Sequence, residues 1–280
     1  MKVKGINCHR SIASMLFVLS GSGVFAGSMG LAAPTDAIYI GVFGGGGANT
    51  SGSLNQGGTA FYPDSSGGPL AVNAQGGADA SSMWMVGGHV GYRWPARTFN
   101  RINSNWTFAP ATELEGYYIG GSTLTGNDLN NDTTRLDEHN FLVSYPMNTS
   151  VFLINAILNA TPSSQGKTHP YVGLGVGTAI LDISGATSTQ IAPAEPGINH
   201  YNSDTSDTAT AFALQPKVGL SYDLSSNTNV FVEYRFLYLS ATDFTFGSTV
   251  YPGHAATSNW NVKLGSQYYN MGTIGIHYDL

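Results

Sequence analysis

Three stretches of this 280-residue sequence carry residue types that hold ions, phosphates or reactive groups elsewhere. "GVFGGGGANTSGS" (41–53) has the interval of a phosphate-cradling loop between Gly47 and Gly52. Ser53 stands where that loop needs lysine, and no helix signal follows, so we read a flexible loop base. "DLNNDTTRLDE" (128–138) opens like a calcium loop with Asp128, Asn130 and Asp132. Thr133 replaces the glycine of the sharp turn, and Glu138 comes one residue early for the closing ligand. The reading there is a solvated acidic loop. His139, His200 and His254 fall between strand signals, and "HAATSN" (254–259) sets Ser258 and Asn259 near a histidine, the raw material of an activated nucleophile. None of these patterns completes itself, so no catalytic, cofactor or metal site is expected. Six further charges, Arg93, Glu113, Glu115, Lys217, Glu233 and Arg235, sit inside apolar alternations, where only a paired, inward placement is tolerable.

Those alternations define the elements. Strands are expected near 37–45, 82–94, 107–121, 149–159, 170–182, 209–224, 229–240 and 267–280, eight in all; "HNFLVSYP" (139–146) alternates too, leaving an earlier start to the fourth strand or a ten-strand count open. In "SMWMVGGHVGYRW" (82–94) one face reads Trp84, Val86, Val90, Tyr92, Trp94, and the other Met83, Met85, Gly87, His89, Gly91, Arg93. Similar faces recur in 170–182, 211–224 and 229–240. Pro110 and Pro216 fall inside expected strands, where each removes a ladder donor and marks a bulge or girdle position.

Alternation alone does not say which face is inside. A soluble lipocalin-like barrel would turn the apolar face inward, and three features argue the reverse. The second face is mostly Gly, Ala and Ser with occasional charges, which suits the narrow interior of an eight-stranded barrel. Aromatics recur ten residues apart, as Trp84 and Trp94, Phe212 and Tyr222, Tyr268 and Tyr278. Ten residues span about 33 Å along a strand. At a tilt of about 40° that rises about 25 Å, the height of an apolar band between two aromatic girdles. Finally, long polar connections (48–81, 122–148, 184–208, 241–266) alternate with shorter ones (95–106, 160–169, 225–228).

Composition agrees. The basic start with Lys2, Lys4 and Arg10, the apolar stretch from Ile12 to Val24 and the small-residue pattern ending at Ala26 read as a signal peptide over 1–26, cleaved before Gly27. The alternatives are an uncleaved anchor and a cut after Ala33. Residues 27–36 are then a short periplasmic segment, and 37–280 the barrel. Cleavage removes Cys8, the only cysteine, so the mature chain has no disulfide or thiolate chemistry. Eight Lys and Arg remain against 17 Asp and Glu, a formal charge of −9. That balance excludes nucleic acid as a partner. Charged residues make up 10% of the chain, far below the ~25% of ordinary soluble domains.

Three motifs, "HPYVGLGVGTA" (169–179), "PKVGLSYDLSSNTNVFVEYRFLYLS" (216–240) and "GTIGIHYDL" (272–280), resemble small Gram-negative outer-membrane β-barrels of the opacity-protein and OmpA-like porin type. The resemblance implies an eight-stranded antiparallel transmembrane barrel with long extracellular loops, in contact with outer-membrane lipid and lipopolysaccharide. It also implies that Ile274, Ile276, Tyr278 and Leu280 are the signal read by the barrel-assembly machinery, with Leu280 where the family usually has Phe. On this reading Arg93, Glu113, Glu115, Lys217, Glu233 and Arg235 fill the closed interior as ion pairs, or line a small-ion pore. His89 and His277 are inward, hydrogen-bonded filler. The function expected is a structural or adhesive surface protein whose loops meet host surface molecules or neighbouring cells. The alternatives are a narrow porin-like channel and a lipid A-modifying enzyme; the spacing in 254–259 does not match a deacylase arrangement.

Overall fold

The computed structural model describes residues 37–50, 52–95, 106–131, 139–162 and 166–280. The signal peptide, the segment 27–36 and the acidic residues 132–138 lie outside the described residues, as do the side chains of 128–131. Among the described residues the elements are strands, apart from one turn of 3-10 helix at Asp64–Ser66. Among the described residues no helix is long and apolar enough to cross a membrane.

Eight strands close a ring: β1 (Ala37–Thr50), β4 (Ser81–Arg93), β5 (Trp106–Asn131), β6 (Asn140–Pro162), β7 (Thr168–Ser184), β9 (Ser206–Asp223), β10 (Thr228–Leu239) and β13 (Gln267–Asp279). Each pairs antiparallel with its neighbours, and β13 returns to β1 with Tyr278 opposite Ile40 and Gly272 opposite Gly46. The ladder therefore has no free edge, which is what lipid demands of a spanning sheet. Eight strands, not ten, make the ring.

The run Gly44–Gly47 is strand, not the loop base its composition suggested. The reason lies at the seam. A Cβ at Gly45 would collide with the carbonyl oxygen of Gly272, and one at Gly47 with that of Asn270. Glycine here lets two backbones approach.

The ring is inside-out relative to a soluble barrel. Ile38, Val42, Val86, Val90, Leu114, Phe152, Ile154, Val172, Val218 and Val232 are all exposed, between 44% and 62% of their full area. Charged residues occupy the inside instead. An exposed apolar belt that encircles a closed barrel has no stable place in water, and its natural solvent is the bilayer.

The long connections hold a second structure. β5 has 26 residues and β6 has 23, whereas a tilted strand crosses a bilayer with about 9–11. The surplus continues beyond the membrane and recruits β2 (Ser53–Ala60), β3 (Leu70–Gly77), β8 (Thr187–Ala192), β11 (Thr242–Phe246) and β12 (Trp260–Leu264). β11, β12, β2 and β3 pair in that order onto the end of β5, and β8 pairs with the start of β6. We call this body the crown. It corrects the expectation that 48–81, 122–148, 184–208 and 241–266 are simple polar loops. The physical reason is a second apolar core: Phe141, Tyr145, Tyr201, Phe244, Phe246 and Trp260 are all nearly fully buried. Tyr201 stacks on Phe246 at 4.8 Å, and Tyr145 on Phe246 at 5.8 Å.

A bulge marks the passage of β5 from barrel to crown. The β5–β6 register shifts between Ile119 and Ser122, and Gly121 there has φ of 75°, the left-handed region a side chain resists. Pro216 leaves its own mark. The β9–β10 ladder holds up to Lys217 opposite Arg235 and resumes at Leu214 opposite Tyr238, skipping Gln215 and Pro216, of which the proline has no N–H to give.

Candidate functional site

Two places concentrate chemistry: the middle of the lumen and the junction of two crown connections. In the lumen the period-2 alternation of β5, β9 and β10 turns Glu113, Glu115, Lys217, Glu233 and Arg235 inward, each no more than 6% exposed. The Lys217 ammonium donates to Glu113 at 2.8 Å and to Glu115 at 3.1 Å, with Glu233 at 3.5 Å. Arg235 donates through Nε to Glu233 at 2.7 Å and through Nη1 to Glu115 at 2.9 Å. Its guanidinium also lies over the Phe43 ring, 3.9 Å from the centroid. These five charges from three strands cross-link opposite walls of the barrel.

Arg93 does not join them. The register that sets Gly91 opposite Glu113 carries Arg93 past it, toward the short-turn end. There it pairs with Asp279 at 3.1 Å, each side chain about one-fifth exposed. The network is completed by residues the sequence reading passed over. Tyr39 donates to Glu113 and Tyr171 to Glu233, both at 2.9 Å. Tyr117 donates to Gln215 at 2.6 Å, and Gln215 donates to Glu115 at 3.0 Å. The signal was available: Tyr117 follows Glu115 by two, and Gln215 precedes Lys217 by two, so strand phase alone turns them inward.

His89 and His277 are inward as expected, but not as hydrogen-bonded filler. Among the described residues neither ring nitrogen of His89 has a hydrogen-bond partner, nor has Nε2 of His277. They are held by ring packing instead, His277 on Phe231 at 4.2 Å and on His89 at 4.7 Å. With Glu113 they bring donor atoms within 4.8 Å of one another. At the short-turn end of the lumen, a cavity of about 30 Å³ lies among Tyr39, Glu113, Tyr171 and His277, room for about one water.

The outer face carries the girdle residues. Trp84, Phe212 and Tyr268 stand where strands enter the crown, and Trp94, Tyr222 and Tyr278 at the short-turn end, all 38–53% exposed. Neighbouring rings broaden both belts, with Tyr118 at 5.6 Å from Trp84 and Tyr92 at 4.9 Å from Trp94. Ile274, Ile276 and Tyr278 face outward from β13, and Leu280, just past its end, is exposed as well.

In the crown, Gln56 accepts from Tyr201 at 2.6 Å and from Ser188 at 2.8 Å, and the Tyr145 and Tyr201 hydroxyls meet at 2.9 Å. Beside this core the connection 193–205 meets the connection 247–259. Val250 N–H donates to Asn202 at 2.8 Å, Asn202 donates back to the Val250 carbonyl at 2.7 Å, and the Thr249 hydroxyl donates to the His200 carbonyl at 2.9 Å. Glu195, His200 and His254 converge there, donor atoms again within 4.8 Å. Burial against Phe141 and Trp260 pushes the His200 imidazole below its ordinary pKa, against the opposing pull of the Ser188 carbonyl and the Glu195 carboxylate. The sequence reading placed His200 and His254 in loops and did not single out Glu195; their separation along the chain gives no motif.

Among curated proteins none matches the sequence. Solved structures similar to the chain include the outer membrane protease OmpT from Escherichia coli, at 9% identity and TM-score 0.36, covering 86% of this chain and 97% of that one. Another is OprG from Pseudomonas aeruginosa, at 10% and 0.34, covering 87% and 97%. A third is Neisserial surface protein A, at 13% and 0.30, covering 88% and 100%. The surface antigen family model matches residues 128–278. That span takes in β6 to β12 and nearly all of β13, with the crown junction and most of the ring, and the chain belongs to the surface antigen family as an eight-stranded barrel of the outer membrane.

Proposed function

We propose that this protein is a non-conducting barrel that holds a folded crown at the cell surface, and that the crown works as a structural or adhesive surface toward host molecules or neighbouring cells. The observation that carries the reading is the division of labour between lumen and crown. Five buried charges and their tyrosine and glutamine partners bond across the lumen from β5 to β9 and β10. The crown has its own aromatic core, so it presents a fixed shape rather than a set of free loops. A rigid polar surface binds with less ordering cost than flexible segments do. The girdles suit contact with outer-membrane lipid and lipopolysaccharide, and the outward row Ile274, Ile276, Tyr278 and Leu280 suits recognition by the barrel-assembly machinery.

The test has two arms. Refolded protein in a planar bilayer should give no steady ohmic step; a reproducible one would move the reading to a narrow porin-like channel. Bacteria displaying the full chain should adhere to host cells or to one another more than bacteria displaying a barrel with the crown connections shortened. Equal adhesion would overturn the adhesive role. Lipid A mass spectra with and without the protein address the enzymatic alternative, and unchanged acylation is expected.

A further inference from the structure

Glu195 Oε2 lies 3.4 Å from His200 Nε2 and 3.4 Å from His254 Nε2. The tautomers are set by what the other ring nitrogens meet. His200 Nδ1 faces the Ser188 carbonyl at 3.0 Å, and His254 Nδ1 faces the Ala255 carbonyl at 2.7 Å. A carbonyl only accepts, so each Nδ1 carries a proton, which leaves each Nε2 as the ring atom aimed at the carboxylate oxygen and able to ligate when the ring is neutral. That oxygen is screened from solvent and has no hydrogen-bond partner among the described residues. A carboxylate oxygen and two imidazole nitrogens converging this closely need positive charge among them, either a proton on a ring or a cation.

The spacing indicates which charge. Bonds of about 2.0–2.1 Å at tetrahedral angles set donor atoms about 3.3–3.4 Å apart, the separation found on both Glu195 edges. An Nδ1–H held by a backbone carbonyl is also the arrangement that orients metal-bound histidine. We propose that Glu195, His200 and His254 form a site for a borderline divalent transition cation, zinc foremost, joining the connections 193–205 and 247–259 at the cell surface. Two imidazoles and one carboxylate suit zinc, whereas calcium and magnesium take oxygen ligands. The partly exposed sides of Glu195 and His254, 33% and 19% open, leave the fourth position to water or to a partner's side chain. The site is built in advance: His200 is 3% exposed, packed against Phe141 and Trp260, and the two connections are tied by the Asn202–Val250 bonds. The lumen cluster of His89, Glu113 and His277 lacks these features, because Tyr39 and Lys217 already occupy both Glu113 oxygens and nothing fixes the tautomer of His89. The inference stands apart from the adhesive reading and does not need it.

The experiment is a zinc titration of the untagged full chain, refolded in detergent, by isothermal calorimetry, with cobalt absorption as a coordination signature. One equivalent should bind, and cobalt should give the intense visible bands of a four-coordinate site. Glu195→Gln and His254→Ala should each weaken zinc binding at least about tenfold, while both keep the heat-dependent gel shift of a folded barrel. His169→Ala, which alters the His169–Asp223 pair near the opposite end, should leave affinity unchanged. No stoichiometric binding by the folded chain, or binding that survives both crown substitutions, would overturn the proposal and leave the three groups sharing only a proton.

Discussion

Replacing Lys217 with methionine is the most direct probe of the lumen. The network holds three carboxylates, Glu113, Glu115 and Glu233, against two cations, Lys217 and Arg235, so it already carries one formal negative charge in excess. Lys217 lies within 3.5 Å of all three carboxylates, and Arg235 alone cannot reach Glu113. Lys217→Met fills a similar volume, so the loss is electrostatic rather than a cavity. Removing one partner of a buried pair costs about 3–5 kcal/mol, because the other charge stays behind uncompensated. Arg93→Met is the internal control. Its partner Asp279 sits at the rim with both side chains about one-fifth exposed, so solvent screening limits the loss to about 0.2–1 kcal/mol. The assay is urea unfolding in lipid vesicles followed by tryptophan fluorescence, with equal m-values required for comparison. Lys217→Met should lower the unfolding free energy by several times the Arg93→Met effect, and adding Glu113→Gln should restore part of it. If the two single variants cost the same, or if Lys217→Met lies within about 0.5 kcal/mol of the parent, the interior network does not hold the barrel walls together and the closed-lumen reading fails with it.

Val218 lies about midway between Phe212 and Tyr222 on the outer face and is half exposed. Val218→Arg should cost about 2–4 kcal/mol in vesicles, the price of arginine near the bilayer midplane, measured by the same unfolding assay. In the crown, Tyr201→Phe removes the hydroxyl shared by Tyr145 and Gln56 and should destabilise by about 1–3 kcal/mol, read as faster protease trimming of the crown with the barrel fragment intact. Gly121→Val puts a β-branched side chain at a left-handed bulge against Trp84. It should cost more than 1 kcal/mol and lower the temperature at which the unheated gel band is lost.

The ring was legible because its strands obey one period against one solvent. Every expected strand is present, and the inward phase of Glu113, Glu115, Lys217, Glu233 and Arg235 follows from counting by two. What counting cannot supply is displacement along the barrel axis. Arg93 has the right phase and the wrong height, a matter of register that depends on the partner strand. The crown strands were harder for a different reason. β11 and β12 have five residues each, and "TDFTF" and "WNVKL" alternate correctly but too briefly to stand out in a Thr- and Ser-rich stretch. Glu195 and His254 are distant in sequence and come together only once the crown has folded, so no local pattern announces them.

β6 shows how one strand serves two environments. Its inward residues are buried throughout, from Phe141, Val143 and Tyr145 in the crown to Val151, Leu153 and Asn155 in the barrel. The outward residues change character at membrane height: Phe152 and Ile154 face lipid, while Ser144, Pro146 and Asn148 face water. The inward side changes in the opposite sense, from the Asn155 and Glu113 neighbourhood to stacked aromatics. Within the bilayer, burying apolar side chains against one another gains little over leaving them in lipid, so a polar interior is tolerated and its hydrogen bonds define the packing. Beyond the bilayer the exterior is water, and only an apolar core makes folding favourable. The crown must therefore have a core, and a surface body with a core holds its shape toward whatever it meets. This is why the long connections of this barrel are better understood as a small domain built on extended strands than as loops.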